Sequence, residues 1–388
     1  MDSMNEGISS LARSASPSRL LRGAALLSLG LMLAACRSPS PSPDWAQGEP
    51  LAAAVDQSAE TKNYRTEDLD WQDGARSRAV PARLYWPAKA TASELAGGTV
   101  PLIVFSHGIG GSRRGYSYLG AYWSSQGYAS LHVQHIGSDR GLWAGNPFGL
   151  VGRLQEAAKE GEALNRVADV RFALDQLLQS PYGVKIDTQR ISAAGHSYGA
   201  NTVMLLSGAE VTRQGQTLAQ LRDPRIKAAI LISAPPFYGE TEKTSAILKP
   251  ISIPSLHITA SEDVINIPGY HSDAKDRIAV FEAIGSLRKS LVVFEGGSHS
   301  IFTDRAAAGG VTLNPKVKAA TQELSLAFLT QVYQGKDDEL RQWGERHAGL
   351  VQQWRLSAEL AGPQRHSAAV PPFSEGLLQA AQQTSVER

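Results

Sequence analysis

The sequence predicts an α/β fold in which a mostly parallel central sheet carries helices on both faces. Two observations lead to this prediction. Short, continuous apolar runs such as residues 101–106 recur along the chain, as expected of strands buried on both sides. Segments of helical character stand between these runs, and such alternation is typical of parallel strands joined by right-handed crossovers. One large α/β domain is therefore the simplest interpretation.

The elements can be predicted in chain order. Residues 64–86 have the pattern of antiparallel strands. The further predicted strands are residues 101–106, 129–134, the run that begins at Ile191, 226–233, 253–260 and 291–295. The predicted helices are residues 116–126, 154–178, the segment after Gly199, 273–284 and 315–333. Beyond Gly335 we expect one more helix, through Trp343 and Trp354, and then a polar tail.

Composition excludes several classes of function. The 388 residues include 38 Lys and Arg against 37 Asp and Glu, with no basic stripe, so a nucleic-acid partner is not expected. The single cysteine excludes an intrachain disulfide and a cysteine-based metal site. His132 and His135 are three residues apart in a predicted strand, which directs their rings to opposite faces. We therefore expect no metal and no cofactor.

The N-terminus has the features of an export signal. Residues 1–22 carry three arginines, and residues 23–35 form an uncharged apolar run too short to span a bilayer comfortably. The run ends in Leu33-Ala34-Ala35-Cys36, which resembles the lipobox of bacterial lipoproteins and implies a lipid attached to Cys36. A Pro/Ser-rich tether follows. The expected organisation is a signal peptide (1–35), a tether (36–60), a catalytic domain (61–335) and a C-terminal helix with a tail (336–388).

The most informative stretch is Gly195-His-Ser197-Tyr-Gly199, between a predicted strand and a predicted helix. This context is that of a nucleophile elbow, in which flanking glycines allow a turn sharp enough to present the serine hydroxyl at its apex. A serine hydroxyl is a weak nucleophile and needs a base, which in turn needs an orienting group.

Candidates for both partners follow later strands. Asp263 comes after the strand at 253–260, and His299 comes after the strand at 291–295. Glu262 competes with Asp263 for the role of the acid, and Asp304 is a weaker rival. His196 is expected to pack beneath the elbow rather than to transfer protons.

With these motifs, the chain resembles the α/β-hydrolases, and within them the dienelactone-hydrolase-like and platelet-activating-factor-acetylhydrolase-like esterases. The resemblance covers residues 64–333 and includes residues 105–113, 195–199, 262–263 and 297–304. It implies the triad Ser197, Asp263 and His299, and an oxyanion hole formed by the backbone N–H groups of Ile109 and Tyr198. Dienelactone hydrolases have cysteine at the position of Ser197, so ordinary ester hydrolysis is favoured.

The sequence thus predicts a serine hydrolase that cleaves carboxylic esters through an acyl-enzyme. The alternatives are an interfacial lipase, phospholipase or polyester hydrolase, and, from another class, a catalytically silent surface lipoprotein that serves as a binding module. The expected partners are a small ester or lipid substrate and the membrane reached by the N-terminal lipid. The expected location is the bacterial cell envelope. Whether residues 138–153 cover the site or pack against the sheet stays open, as does the oligomeric state.

Overall fold

We describe a computed structural model of the chain for residues 63–88, 98–213, 216–217, 221–237, 244–267, 269–336 and 338–361. The chain divides into two units, Met1–Pro43 and Asp44–Arg388, and all described residues lie in the second. The predicted signal peptide, Cys36 and the tether at 36–60 lie outside the described residues.

A nine-stranded sheet forms the centre of the fold. Its strands are β1 (Tyr64–Asp73), β2 (Arg78–Pro87), β3 (Val100–Ser106), β4 (Ala129–Val133), β5 (Ile186–His196), β8 (Ile226–Ile232), β9 (Ser255–Glu262), β12 (Lys289–Ser298) and β13 (Val351–Leu356). Their spatial order is β1-β2-β4-β3-β5-β8-β9-β12-β13. Strands β4, β3, β5, β8, β9 and β12 are mutually parallel, while β1, β2 and β13 pair antiparallel. The predicted, mostly parallel sheet is confirmed.

Four short strands form two hairpins outside the main sheet. They are β6 (Thr212–Arg213) with β7 (Gln216–Thr217), and β10 (Ile265–Ile267) with β11 (Tyr270–Ser272). The helices are α1 (Ser117–Ser125), α2 (Leu150–Ala157), α3 (Glu160–Gln179), α4 (Tyr198–Ser207), α5 (Thr244–Leu248), α6 (Ala274–Ala283), α7 (Leu313–Gln334), α8 (Asp338–Arg346) and α9 (Ala358–Ala361).

The core lies on both faces of the sheet, as the alternation of side chains along a strand requires. In β3, Leu102 and Val104 belong to the apolar cluster that includes buried residues of α3, α4 and α6. The neighbouring Ile103 and Phe105 face the other cluster, which includes buried residues of α1, α7 and α8. Helices therefore cover both faces, as predicted, and none of the described helices is both long and apolar enough to cross a membrane.

The single helix predicted over 154–178 is instead two helices. Helix α2 ends at Ala157, and α3 begins at Glu160 after Lys159, whose backbone is extended (φ −68°, ψ 155°). Glu160 and Glu162 stand in the first turn of α3, where the positive end of the helix dipole favours acidic side chains. The acidic pair marks a helix start that apolar periodicity alone does not reveal.

The prediction for the segment beyond Gly335 was wrong in part. Helix α8 ends at Arg346, and Trp354 lies in β13, which pairs with β12 at the edge of the main sheet. The Trp354 ring lies 5.1 Å from that of Trp343, and a Cβ at Gly344 would lie 2.7 Å from its indole nitrogen. Strand pairing between distant segments overrides local helical propensity here. The sheet therefore extends past the predicted domain boundary at residue 335.

Candidate active site

The elbow lies between β5 and α4, with Ser197 at the turn. Ser197 has φ 54° and ψ −123°, a strained backbone conformation for a residue with a side chain. The two glycines are required by close backbone approach. A Cβ at Gly195 would lie 2.3 Å from the Gly199 carbonyl oxygen, and one at Gly199 would lie 1.9 Å from the Ser106 carbonyl oxygen. The turn predicted from the sequence is therefore present, and both positions require glycine because a Cβ atom would clash with the backbone.

The three predicted side chains meet in space. The Ser197 Oγ lies 2.8 Å from the His299 Nε2, and the His299 Nδ1 lies 2.7 Å from the Asp263 Oδ1. Asp263 follows β9, and His299 follows β12, so both reach Ser197 from the carboxyl ends of parallel strands. The His299 side chain is 18% exposed and Asp263 is fully buried. This order of contacts suits a nucleophile, a base and an acid that orients the base.

Asp263 occupies the position of the acid, and its two rivals do not. Glu262 is exposed, and Asp304 accepts a hydrogen bond from the backbone N–H of Ser117 at the start of α1. Burial raises the pKa of Asp263, but the neighbouring His299 and Arg277 outweigh it, so the pKa lies below its ordinary value and the carboxylate stays charged.

Two neighbours hold the Asp263 carboxylate in addition to His299. The hydroxyl of Thr259 donates to Oδ2 at 2.7 Å, and the buried guanidinium of Arg277 lies 3.4 Å from Oδ1. Neither was identified from the sequence, since Arg277 lies in α6 with no motif around it. They hold the carboxylate in addition to its contact with the imidazole.

Two backbone N–H groups are placed as the predicted oxyanion hole requires. Ile109, Ser197 and Tyr198 all line one cleft, and a Cβ at Gly108 would lie 3.3 Å from the Ser197 Cβ. Within the described part of the chain, the N–H groups of Ile109 and Tyr198 have no protein acceptor. The Tyr198 N–H is at the N-terminus of α4, where the helix dipole favours negative charge. Both can donate to a reacting oxygen.

His196 packs under the elbow, as predicted, and also contacts the base. Its ring lies 4.7 Å from that of His299, and its Nε2 donates to the His299 carbonyl oxygen at 3.1 Å. Its Nδ1 therefore accepts from the Tyr116 hydroxyl, at 2.8 Å. Burial and the nearby His299 lower the pKa of His196 well below its ordinary value, so the ring is neutral. His196 thus holds the backbone of the base without exchanging protons.

The loop after β3, residues 107–111, is called the oxyanion loop. A buried arginine beneath it was not identified from the sequence. Arg166 of α3 is fully buried and donates to the His107 carbonyl oxygen, to the Ser106 hydroxyl at 3.0 Å and to the Ser138 hydroxyl at 2.8 Å. Its guanidinium stands 4.5 Å from the centre of the Tyr198 ring. Burial lowers the pKa of Arg166 to about 10, so it remains a cation at neutral pH.

Arg166 belongs to a larger buried polar cluster. The His135 Nδ1 lies 3.2 Å from Asp169, and the His135 Nε2 lies 2.9 Å from the Ser106 hydroxyl. Burial raises the pKa of Asp169, but the hydrogen bond from His135 and the ion pair with Arg78 lower it to about 2. A sequence signal existed, because Arg166 is spaced like Val170, Ala173 and Leu177 and so continues the buried stripe of α3.

The cleft beside Ser197 is mainly apolar and measures about 150 Å³. Its apolar lining comes from the loop after β3, from α2, α3 and α4, and from the β10–β11 hairpin. The residues that line it include Ile109, Leu154, Leu164, Leu205, Val211, Leu221, Pro235, Pro236, Phe237, Ile265 and Ile267. Glu160 is the one charged residue of this lining in the described part of the chain. The cleft suits an apolar acyl group.

The segment 138–153 packs against the oxyanion loop. The Trp143 indole N–H donates to the Gly110 carbonyl oxygen at 2.8 Å, and a Cβ at Gly110 would lie 2.4 Å from the Trp143 ring. Within the segment, Arg153 donates to the Leu142 carbonyl oxygen at 2.9 Å. Phe148 is 96% exposed at its tip. These contacts are with the loop after β3, so they decide neither for a cover over the site nor for packing against the sheet.

Among the described residues, no group of three His, Cys, Asp or Glu side chains could hold a metal ion. The rings of His132 and His135 make polar contacts with different partners. The His132 Nδ1 lies 3.1 Å from the Gly115 carbonyl oxygen, while His135 belongs to the cluster around Arg166.

Comparisons with known proteins show which proteins the chain is similar to. Residues 71–141, which contain the oxyanion loop, match the family model described as platelet-activating factor acetylhydrolase, isoform II. The platelet-activating factor acetylhydrolase of Cavia porcellus is 25% identical over 68% of this chain, and that of Bos taurus is 26% identical over 67%. The chain spans 64% of the length of each of these relatives.

A solved structure resembles the fold as a whole. The ferulic acid esterase of Streptomyces cinnamoneus aligns with a TM-score of 0.51 at 21% identity, over 73% of this chain and 93% of the other. With the strand order and the elbow described above, the chain has the α/β-hydrolase fold, as predicted.

Proposed function

We propose that this protein is a serine carboxylic ester hydrolase that works through an acyl-enzyme intermediate. The observation that carries the proposal is the continuous contact from Ser197 through His299 to Asp263, at 2.8 and 2.7 Å, beside an apolar cleft. Each of the three side chains, taken alone, could have a purely structural role. A protein that served only as a binding module would not need a hydroxyl, an imidazole and a buried carboxylate in contact in this order. The similarity to acetylhydrolases supports the same activity.

The first half-reaction acylates Ser197. The His299 Nε2 takes the hydroxyl proton while Oγ bonds to the ester carbonyl carbon, and the carbonyl oxygen becomes an oxyanion that accepts from the Ile109 and Tyr198 N–H groups. Asp263 keeps the Nδ1 proton in place and stabilises the imidazolium. As the ester C–O bond breaks, the imidazolium returns its proton to the leaving alkoxide, which departs as an alcohol.

The second half-reaction regenerates the serine. A water molecule gives one proton to His299 and bonds to the acyl carbon, and the same two N–H groups hold the second oxyanion. The bond to Ser197 Oγ then breaks, and the imidazolium proton passes to Oγ. The acid product leaves. The balance of atoms closes with one ester and one water converted into one acid and one alcohol.

A short acyl group is the substrate class that we propose. The relatives are named for acetyl hydrolysis, and the cleft of about 150 Å³ is on the order of the space that holds one benzene molecule in an engineered protein cavity. A long acyl chain exceeds that space. We therefore propose acetyl or similarly short esters, with the alcohol part left unspecified.

A panel of p-nitrophenyl esters tests this proposal. We expect kcat/KM to be highest for acetate or butyrate and to fall towards octanoate and palmitate. Ser197→Ala, which removes only the nucleophile, is the control and should be inactive on all four. An optimum at the long chains would favour the interfacial lipase instead. No hydrolysis of any ester by the folded protein would overturn the proposal and favour a binding module.

We also propose that Cys36 carries a lipid that anchors the enzyme in a bacterial cell envelope. The support is the lipobox-like sequence that ends at this residue, the sole cysteine of the chain. More than one acyl chain is needed for a stable anchor. Labelling with an alkyne fatty acid should be lost in Cys36→Ser while esterase activity is retained. Undiminished labelling of that variant would contradict the proposal.

A further inference from the structure

The loop after β3 is held by hydrogen bonds at successive peptide groups. The Gly108 carbonyl oxygen accepts from the His107 Nδ1 at 2.7 Å and from the Gly111 N–H at 3.1 Å. The Gly110 N–H donates to the Ser138 carbonyl oxygen at 2.8 Å. Arg166 donates to the His107 carbonyl oxygen. These hydrogen bonds restrain the loop from His107 to Gly111.

The Ile109 N–H stands out in this run. The Gly108 N–H lies 3.4 Å from the Tyr116 hydroxyl, and the N–H groups of Gly110 and Gly111 have backbone acceptors. For Ile109, no acceptor occurs among the residues that the structure describes. A donor that is free while its neighbours are restrained is what a preorganised oxyanion site requires.

The tautomer of His107 follows from its two partners. The backbone N–H of His135 donates to the His107 Nε2 at 3.1 Å, so this nitrogen carries no proton. The Nδ1 faces a carbonyl oxygen, which can only accept, so Nδ1 carries the proton. The ring is almost completely buried, at 1% exposure. Protonation of Nε2 would set two donors against each other, so His107 is held as the neutral Nδ1–H form.

The geometry of the peptide group connects this ring to the chemistry. A peptide unit is planar and trans, so its C=O and N–H point in opposite directions. The His107 ring fixes the direction of the Gly108 carbonyl and thereby fixes the direction of the Ile109 N–H. We infer that His107 is a positioning residue that aims the Ile109 N–H at the oxyanion. This inference rests on the proposed function, since it concerns the same reaction.

Two amide substitutions separate the roles of the two ring nitrogens. In His107→Asn the side-chain N–H₂ can take the place of Nδ1 and still donate to the Gly108 carbonyl oxygen. In His107→Gln the amide oxygen reaches the place of Nε2 and can accept from the His135 N–H, but the Gly108 carbonyl oxygen loses its side-chain donor and keeps only the Gly111 N–H. The two variants share the same functional group, so a general cost of replacing the ring affects both.

The experiment measures kcat, KM and thermal unfolding for wild type and both variants with p-nitrophenyl butyrate. Removal of one oxyanion donor costs about a hundred- to a thousand-fold in kcat, so a misdirected donor should cost about tenfold or more. We expect that loss in His107→Gln at nearly constant KM, and kcat within about threefold of wild type in His107→Asn. The inhibition constant of a trifluoromethyl ketone, which forms a tetrahedral oxyanion on Ser197, should rise in His107→Gln by the same factor as kcat falls.

The outcomes are distinct. If wild type hydrolyses the ester and His107→Gln keeps its kcat, the inference is wrong while the proposed function stands. Equal losses of kcat in both variants, in proportion to their loss of thermal stability, would also overturn it. If wild type hydrolyses no ester, the proposed function fails first. Should His107→Gln not fold, His107→Ala takes its place, because it also leaves the Gly108 carbonyl oxygen without a side-chain donor, and a ketone constant equal to that of His107→Asn would overturn the inference.

Discussion

On one side of Ser197, Asp263 and His299 directly follow two parallel strands, and His299 contacts Asp263 through Nδ1 and Ser197 through Nε2. On the other side, the oxyanion loop is restrained by residues of a different kind. Arg166 comes from the buried face of α3, and Ser138 and His135 come from the segment after β4. The side chains on the first side take part in the reaction, whereas those on the second side hold the backbone of the oxyanion loop in place.

The two sides of Ser197 thus separate residues that take part in the chemistry from residues that stabilise the fold. The base is partly exposed and has one partner on each ring nitrogen, so its loss removes chemistry and little packing. On the oxyanion side, the supporting residues His107, Ser138 and Arg166 are buried and hydrogen-bonded, so the loss of one leaves polar groups without partners. Variants on the first side should therefore change rates at nearly constant stability, whereas variants of the buried supporting residues on the second side should also lower stability.

The largest effect is expected for the triad. Ser197→Ala and His299→Ala should each lower kcat by about 10⁴-fold or more, because the nucleophile or its base is removed. Thermal unfolding should stay within a few degrees of wild type. Steady-state kinetics and calorimetry on the same samples check both statements, and a variant that retains more than a hundredth of the wild-type kcat would contradict the assignment.

Gly199→Ala should act on the fold rather than on the chemistry. Its Cβ would lie 1.9 Å from the Ser106 carbonyl oxygen, so either β3 or the elbow must move. We expect a loss of at least about 4 kcal/mol in the free energy of unfolding, or failure to fold. Gly152→Ala in α2 is the matched control, since nothing lies within 4 Å of its Cβ, and it should be neutral or stabilising by up to about 1 kcal/mol. Urea unfolding measures both.

Buried histidines should make the protein sensitive to acid. Burial lowers the pKa values of His132, His135 and His257 to about 3, against an ordinary value of 6.5. Their stabilisation is complete above pH 6.5, and it is lost as the pH falls towards 3, because only the unfolded chain takes up the protons. These three rings alone should lower the free energy of unfolding by up to about 4 kcal/mol per pH unit in this window.

Urea unfolding at pH 7.5, 6.5 and 5.5 measures this slope. His257→Leu should reduce it by about 1.4 kcal/mol per pH unit, because one of the three titrating groups is removed. A free energy of unfolding that is constant between pH 7.5 and 5.5 would contradict the neutral, buried state of these rings.

Arg166→Met should cost about 3 kcal/mol of stability, because the His107 carbonyl oxygen and three buried hydroxyls lose a charged donor. The matched control is Arg341→Met, whose pair with Asp338 is more than half exposed and should contribute less than about 1 kcal/mol. If the two variants lose the same free energy of unfolding, the buried cluster does not hold the oxyanion side.

The smallest effect is expected for Ile109→Ala. This variant keeps the backbone N–H, so kcat should remain within about tenfold of wild type. Ile109→Pro removes that N–H and should lower kcat by about a hundred- to a thousand-fold. Comparable kcat values for the two variants would show that this N–H does not stabilise the oxyanion.

The reacting side could be predicted from the sequence and the supporting side could not, for physical reasons. Ser197, Asp263 and His299 are visible because each directly follows an apolar strand and carries an unusual side chain at that point. Arg166 contacts groups 28 to 60 residues away along the chain, and only the fold brings them together. Its position in the apolar stripe of α3 was the one local sign.

The same distinction applies to the fold. Strands β3, β8 and β12 contain nearly continuous apolar runs, so their own sequences predict them. Strand β13 contains polar residues beside Trp354 and is a strand because it pairs with β12. Nothing in its local pattern indicates that partner, which is why a helix was predicted there.

The most direct test of the catalytic assignment is covalent labelling with a fluorophosphonate, followed by mass spectrometry of the intact and digested protein. The folded wild type should gain one phosphonyl group, located on the peptide that contains Ser197, and both Ser197→Ala and His299→Ala should gain none. Absence of labelling in folded wild type, or labelling at a serine other than Ser197, would contradict the assignment.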